Sequence, residues 1–188
     1  MTQINIKEIV EKLIDTFLRA GEVSLNLREK GLTKKIKLDN TPVSNGDLEV
    51  NKIITKKINE LTSHIPIISE ETSENRSIKK LKDFWLIDPI DGTHDYINDL
   101  DEFTINAGLI INKKPVAGLI YAPAKNRMFY SYGKNFAFEL INGKAIELNN
   151  SKNFNIDEIK FVTYSNKIKP EIAEVHKKLK VKKCIRMK

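Results

Sequence analysis

The stretch Trp85-Leu86-Ile87-Asp88-Pro89-Ile90-Asp91-Gly92-Thr93 decides how the rest of this chain is read. Its apolar start reads as a buried strand, and that strand ends in two aspartates three positions apart. Pro89 and Gly92 predict that the backbone turns around the two carboxylates. Gly92-Thr93 suits the opening of a helix. Carboxylates for a hard cation and backbone N–H groups for a phosphate are therefore predicted side by side. Asp, Pro and Gly also build ordinary turns, so the pattern gains meaning only from what the rest of the chain supplies.

A length of 188 residues suits one domain, or one domain and part of another, and a hydrophobic content of 40% is enough for a core. No apolar run approaches the ~20 residues of a membrane-spanning helix. The N-terminus lacks the basic-then-apolar pattern of a secretory leader. A single cysteine, Cys184, excludes an internal disulfide framework and a cysteine-based zinc site and fits a reducing cytoplasm. The net charge of +7 is concentrated at one end. Residues 167–188 carry nine Lys/Arg against Glu171 and Glu174, leaving 23 basic and 23 acidic residues before them. A body-wide footprint for nucleic acid is absent, and no nucleic-acid partner is expected.

Apolar residues at helical spacing predict a first helix over residues 4–29, ended by Gly31. A short strand over 32–38 and a turn at Asp39-Asn40-Thr41-Pro42 are expected next. Ser44 and Asp47 make a capping-box-like start for a second helix using Leu48, Ile53, Ile54, Ile58 and Leu61. Pro66–Ser69 reads as a strand ending on Glu70 and Glu71. Segments 103–111, 116–122, 127–132 and 136–141 are rich in β-branched and aromatic residues, and Asn142-Gly143 signals a hairpin into 144–148. A strand over 158–164, a helix over 170–180 and a strand over 181–187 complete the chain. Helices first and an antiparallel sheet after them predict a layered α+β fold.

The acidic residues Asp47, Glu70, Glu71, Asp88, Asp91 and Asp95 all fall near predicted element ends. Any one of them alone is more simply a solvated surface acid. Two strands ending in carboxylates, however, can aim them at one point. Several carboxylate oxygens with a backbone carbonyl suit Mg²⁺, which can clamp a phosphate and activate water.

On these residues the chain resembles the inositol monophosphatase superfamily of Mg²⁺-dependent, lithium-sensitive phosphatases. Lys37-Leu38-Asp39-Asn40-Thr41-Pro42-Val43-Ser44 with Asp47, Glu102-Phe103-Thr104-Ile105-Asn106, and Gly118-Leu119-Ile120-Tyr121-Ala122-Pro123 resemble its bacterial 3′(2′),5′-bisphosphate nucleotidases. The resemblance implies two or three Mg²⁺ ions held by Glu70, Asp88, the Ile90 carbonyl and Asp91. It implies that Asp47 and Thr93 orient and deprotonate the attacking water, and that Gly92 and Thr93 N–H groups hold the phosphate. The substrate implied is adenosine 3′,5′-bisphosphate, with an inositol or other sugar phosphate as the alternative, and Li⁺ is expected to inhibit. Residues 1–150 would form the metal-binding phosphatase domain and 151–188 the start of a C-terminal α/β domain.

Three departures accompany the resemblance. His94 stands where these nucleotidases usually carry Lys, and Asn45-Gly46 precedes Asp47 in place of a small residue and alanine. The glycine is expected to loosen the start of the helix that places Asp47. No Trp-Asp pair occurs, so the resemblance implies a chain truncated at its C-terminal half, and with it a third reading as a non-catalytic Mg²⁺-binding remnant. The basic tail leaves open a weak peripheral contact with an anionic membrane, and a homodimer is compatible with the sequence.

Overall fold

The computed structural model of the chain describes residues 5–37, 41–72, 81–148, 160–163 and 167–186. It divides into two compact units, Met1–Leu148 and Asn149–Lys188. In the first, α1 (Ile6–Lys30) and α2 (Asn45–Leu61) pack on a seven-stranded sheet. The strands are β3 (Ile67–Ser69), β4 (Phe84–Asp91), β5 (Thr104–Ile111), β6 (Lys114–Ala122), β7 (Arg127–Tyr132), β8 (Phe136–Ile141) and β9 (Lys144–Glu147), in that spatial order. Every neighbouring pair is antiparallel except β3–β4, which is parallel. β1 (Lys34–Ile36) and β2 (Pro42–Ser44) form a separate small hairpin, and α3 (Thr93–Ile97) is a single turn. The α+β architecture agrees with the reading of the sequence.

The core follows from period. On α1, Val10, Leu13, Phe17 and Ala20 are fully buried at helical spacing, and Val50, Ile54 and Ile58 of α2 join them. Alternate sheet residues such as Trp85, Ile87, Ile105, Leu109 and Leu119 face these helices. Leu86 and Ile120 point the other way and stay about half exposed, at 48% and 49%. Leu48, expected on the apolar face of α2, is 49% exposed, because Gly46, Asp47 and Asn51 occupy that face beside Val50. Polar burial at this helix start is the first sign that the start of α2 serves something besides packing.

Two turns carry the sheet topology. Asn142 and Gly143 both adopt positive φ, 51° and 73°, as a two-residue hairpin turn requires. Asn112 and Lys113 do the same between β5 and β6, at 51° and 61°, without any glycine. That conformation is held by Asn112 N–H donating to Asp83 Oδ1 at 2.6 Å and Lys113 N–H donating to the Lys82 carbonyl at 2.8 Å.

In the second unit, β10 (Lys160–Thr163) and β11 (Lys183–Arg186) pair in parallel, joined through α4 (Pro170–Lys178). The helix ends two residues before the expected Lys180, and positions 158, 159, 164 and 187 of the two expected strands lie outside the described residues. Residues 38–40 of the expected turn also lie outside them, while Pro42 belongs to β2. No helix among the described residues is long and apolar enough to cross a membrane.

Candidate active site

The parallel register of β3 on β4 sets Ser69 beside Ile87, so Glu70, just past the end of β3, and Asp88, within β4, follow next. Glu70 N–H donates to the Ile87 carbonyl at 3.1 Å, which fixes the two ends together. Beyond Asp88 the strand does not turn as the sequence suggested. β4 runs on through Pro89 to Asp91, with a register shift against β5 between Asp88 and Asp91. Pro89 has no N–H to give a ladder, so it sits at a bulge past the end of β3, where none is asked of it. The bulge displaces Ile90 and Asp91 from regular pairing, and the turn comes at Gly92, whose φ is +95°. A Cβ at Gly92 would stand 2.6 Å from the Glu102 carbonyl, so both conformation and space require glycine here.

Asp47 arrives from the other side of the site. Ser44 caps α2, and its N–H and hydroxyl both donate to Asp47 Oδ2, at 2.8 and 2.6 Å. The capping box therefore does more than satisfy the helix end. It occupies one carboxylate oxygen and leaves Oδ1 facing Thr93, whose hydroxyl lies 3.1 Å from it and 3.0 Å from the Ile90 carbonyl. Asp47 is 1% exposed. One hydroxyl proton serves one of these acceptors at a time.

Electrostatics single out Asp88. Burial, then the negative charges of Glu70 and Asp91, a hydrogen bond with Glu70 and the charge of Glu71, push its carboxyl up to about 7. Its Oδ1 is buried without a hydrogen-bond partner, and so is Oδ1 of Asn106, its direct cross-strand neighbour. Two orphaned acceptors on facing positions, next to further carboxylates, are what a cation or bound water satisfies. The donor set is all oxygen and fits a hard cation.

The side chains are also engaged elsewhere. Lys37 reaches Glu71 at 2.8 Å and Glu70 at 3.4 Å. Burial would lower the Lys37 ammonium, but the hydrogen bond and charge of Glu71, with Glu70, outweigh it and raise it. Burial raises Glu71 despite that contact. Asn106 Nδ2 donates to Asp91 Oδ2 at 3.3 Å. Among the described residues, no three His, Cys, Asp or Glu side chains converge on a single ion position. The structure thus sets Asp88 in electrostatic contact with Glu70, Asp91 and Glu71, while Lys37 pairs with Glu70 and Glu71 and Asn106 donates to Asp91. A cavity of about 220 Å³ adjoins Asp91 and Gly92, and Glu102 and Lys125, paired at 2.6 Å, are among its lining residues.

His94 is 79% exposed at its side chain, and its ring lies 3.3 Å from Asp95. His64 and Cys184 are exposed, and His176 packs on Phe161 at 3.8 Å in the second unit. Lys37, Ser44 and Asn106 carry the site's supporting contacts, yet the sequence assigned them no role in it. Ser44 stood in the capping signal, and Lys37 and Asn106 in the motifs of resemblance.

The profile of the inositol monophosphatase family matches residues 5–187. The 3′(2′),5′-bisphosphate nucleotidase CysQ of Aggregatibacter actinomycetemcomitans is 32% identical over 142 residues, covering 74% of this chain and 53% of that protein. The chain spans about half the length of the curated relatives it matches. Among solved structures, CysQ from Bacteroides thetaiotaomicron superposes with a TM-score of 0.69 at 22% identity, covering 98% of this chain and 68% of that one. An IMPase/NADP phosphatase complexed with Mg²⁺ and phosphate superposes with a TM-score of 0.72 at 17% identity, covering 96% and 67%.

Proposed function

The chain belongs to the inositol monophosphatase family, and on that premise we propose that it serves a Mg²⁺-dependent phosphatase that removes the 3′-phosphate of adenosine 3′,5′-bisphosphate. The observation that carries the reading is the Asp47–Thr93 pair, joined to the Ile90 carbonyl two residues along the chain from the orphaned Asp88 oxygen. The nucleotidase assignment rests on the CysQ relatives. Glu70, Asp88, the Ile90 carbonyl and Asp91 would hold the cation, which supplies charge neutralisation and Lewis acidity to the phosphate when bound. Li⁺ would inhibit by competing for the same oxygens.

The chain's own residues then have distinct tasks. Ser44 locks one oxygen of Asp47, so the other accepts from Thr93. As Thr93 gives its hydroxyl proton to Asp47, its oxygen can take one from the water that attacks phosphorus. Gly92 and Thr93 N–H groups would hold phosphate oxygens. They act as hydrogen-bond donors, since α3 has only five residues and little dipole. Atoms balance: water adds to phosphorus, the ester oxygen leaves with a proton as the 3′-hydroxyl, and AMP and phosphate remain.

The test is phosphate release from adenosine 3′,5′-bisphosphate, inositol 1-phosphate and a sugar-phosphate panel, with Mg²⁺ and an Asp91→Asn control. Mg²⁺-dependent turnover highest on the bisphosphate and lost in the control is the expected result. A preference for the inositol ester would reassign the substrate. A folded chain that releases no phosphate from any ester would leave only the reading as a non-catalytic remnant.

A further inference from the structure

We propose that Gly46 and Tyr96 interlock to position the Asp47–Thr93 pair, so that Tyr96 is a positioning residue of this site and the glycine is its required counterpart. The inference rests on the phosphatase reading for its kinetic arm only. Gly46 has no left-handed φ, so conformation does not demand it. Space does. A Cβ there would lie 2.3 Å from Tyr96 Oη, 2.6 Å from Cε1 and 2.8 Å from Cζ. The departure at position 46, which the sequence suggested would loosen the helix, is where the phenol of Tyr96 sits against the backbone.

Tyr96 has little freedom to move away. It is fully buried, its hydroxyl donates to the Ser24 carbonyl of α1 at 2.7 Å, and its ring packs on Phe103 at 4.9 Å between centroids. Phe103 is itself 2% exposed, lies under the Arg28 guanidinium at 5.4 Å, and Arg28 donates to the Leu100 carbonyl at 2.8 Å. Tyr96 follows Thr93 by three residues on α3, and Gly46 precedes Asp47 by one on α2. The two reacting side chains come from elements 46 residues apart, and their 3.1 Å separation depends on how closely those two helix starts approach. The Gly46–Tyr96 packing lies beside that pair, and Tyr96 ties α3 to α1 through Ser24.

The experiment compares Gly46→Ala, Tyr96→Phe and Gly46→Ala/Tyr96→Leu with the parent chain. Amide hydrogen exchange is read at Asn45 and Asp47, whose N–H groups bond to Thr33 O and Ser44 Oγ, and at Tyr96, bonded to Gly92 O. Phosphate release gives kcat and KM. Gly46→Ala should speed exchange at these amides about tenfold and lower kcat by roughly 10²-fold with KM within about twofold, the cost of an ~1 Å misplacement. Tyr96→Phe, which keeps the ring and loses only the tether to Ser24, should show a smaller loss of kcat. The double variant, which restores the space but lacks the tether to Ser24, should recover both readouts to about the level of Tyr96→Phe and not to the parent's. If Gly46→Ala does not fold, the double variant must fold and show exchange close to that of Tyr96→Phe. Parental exchange and kcat in Gly46→Ala, or a double variant no better than Gly46→Ala, overturns the proposal. A parent chain that hydrolyses no ester refutes the phosphatase reading instead, and the exchange data still decide the interlock.

Discussion

Replacing Asp88 with Asn should stabilise the first unit at neutral pH while removing most of its response to Mg²⁺. The folded carboxyl is raised from 3.8 to about 7 by burial and by Glu70 and Asp91, so the fold favours its protonated form. Folded and unfolded states then differ most in proton uptake between those two values. Stability contributed by the protonated group is present below about pH 4 and lost as pH rises towards 7. The rise from 3.8 to about 7 corresponds to a ceiling of ~4 kcal/mol. Partial access of water reduces the difference to about 2 kcal/mol. The assay is urea unfolding followed by Trp85, the only tryptophan, which is fully buried on the strand that carries Asp88. Asp88→Asn should match the parent near pH 4, exceed it by about 2 kcal/mol at pH 8, and lose most of the Mg²⁺-induced rise in midpoint. A parent-minus-variant difference that is flat from pH 4 to pH 8 refutes the reasoning. So does a variant less stable than the parent at pH 8.

Three further outcomes follow from the same geometry. Gly92→Ala should cost at least ~2 kcal/mol in thermal unfolding, because an L-residue at φ +95° is strained and its Cβ meets the Glu102 carbonyl. An unchanged Tm would show that the turn relaxes freely. Thr93→Val should lower kcat on the order of 10²-fold with KM nearly unchanged, while Thr93→Ser retains activity; a loss confined to KM would place Thr93 in binding alone. Lys37→Met leaves Glu71, whose side chain is 4% exposed, without its cation. The fold should lose about 2 kcal/mol without metal and show a larger Mg²⁺-induced Tm rise than the parent. A smaller rise would mean that Lys37 supports cation binding.

What can be read from neighbours in sequence was legible. The heptad-like spacing of Val10, Leu13 and Phe17, the Ser44–Asp47 capping box, the alternation along β5 to β8 and the Asn142-Gly143 turn each encode structure within a few residues. The Asn112-Lys113 turn lacked glycine, so its conformation depends on bonds to Lys82 and Asp83 about 30 residues earlier. Leu48 misled for the reverse reason: it fits the apolar period of α2, but buried Asp47 and Asn51 take that face because Thr93 and Ser69 offer them partners.

The sequence by itself determined the elements, the layered fold class and which acids end a strand or begin a helix, because those depend on local periodicity and turn chemistry. Only the tertiary structure decided what those acids do to one another. The parallel β3–β4 register sets Glu70 against Asp88, and the Pro89 bulge carries the strand on to Asp91 where a turn was expected. Gly46, read locally as a weakness in α2, is the space that Tyr96 fills. Each of these rests on a contact between segments distant in the chain, whose energy comes from burial and packing that no local pattern records.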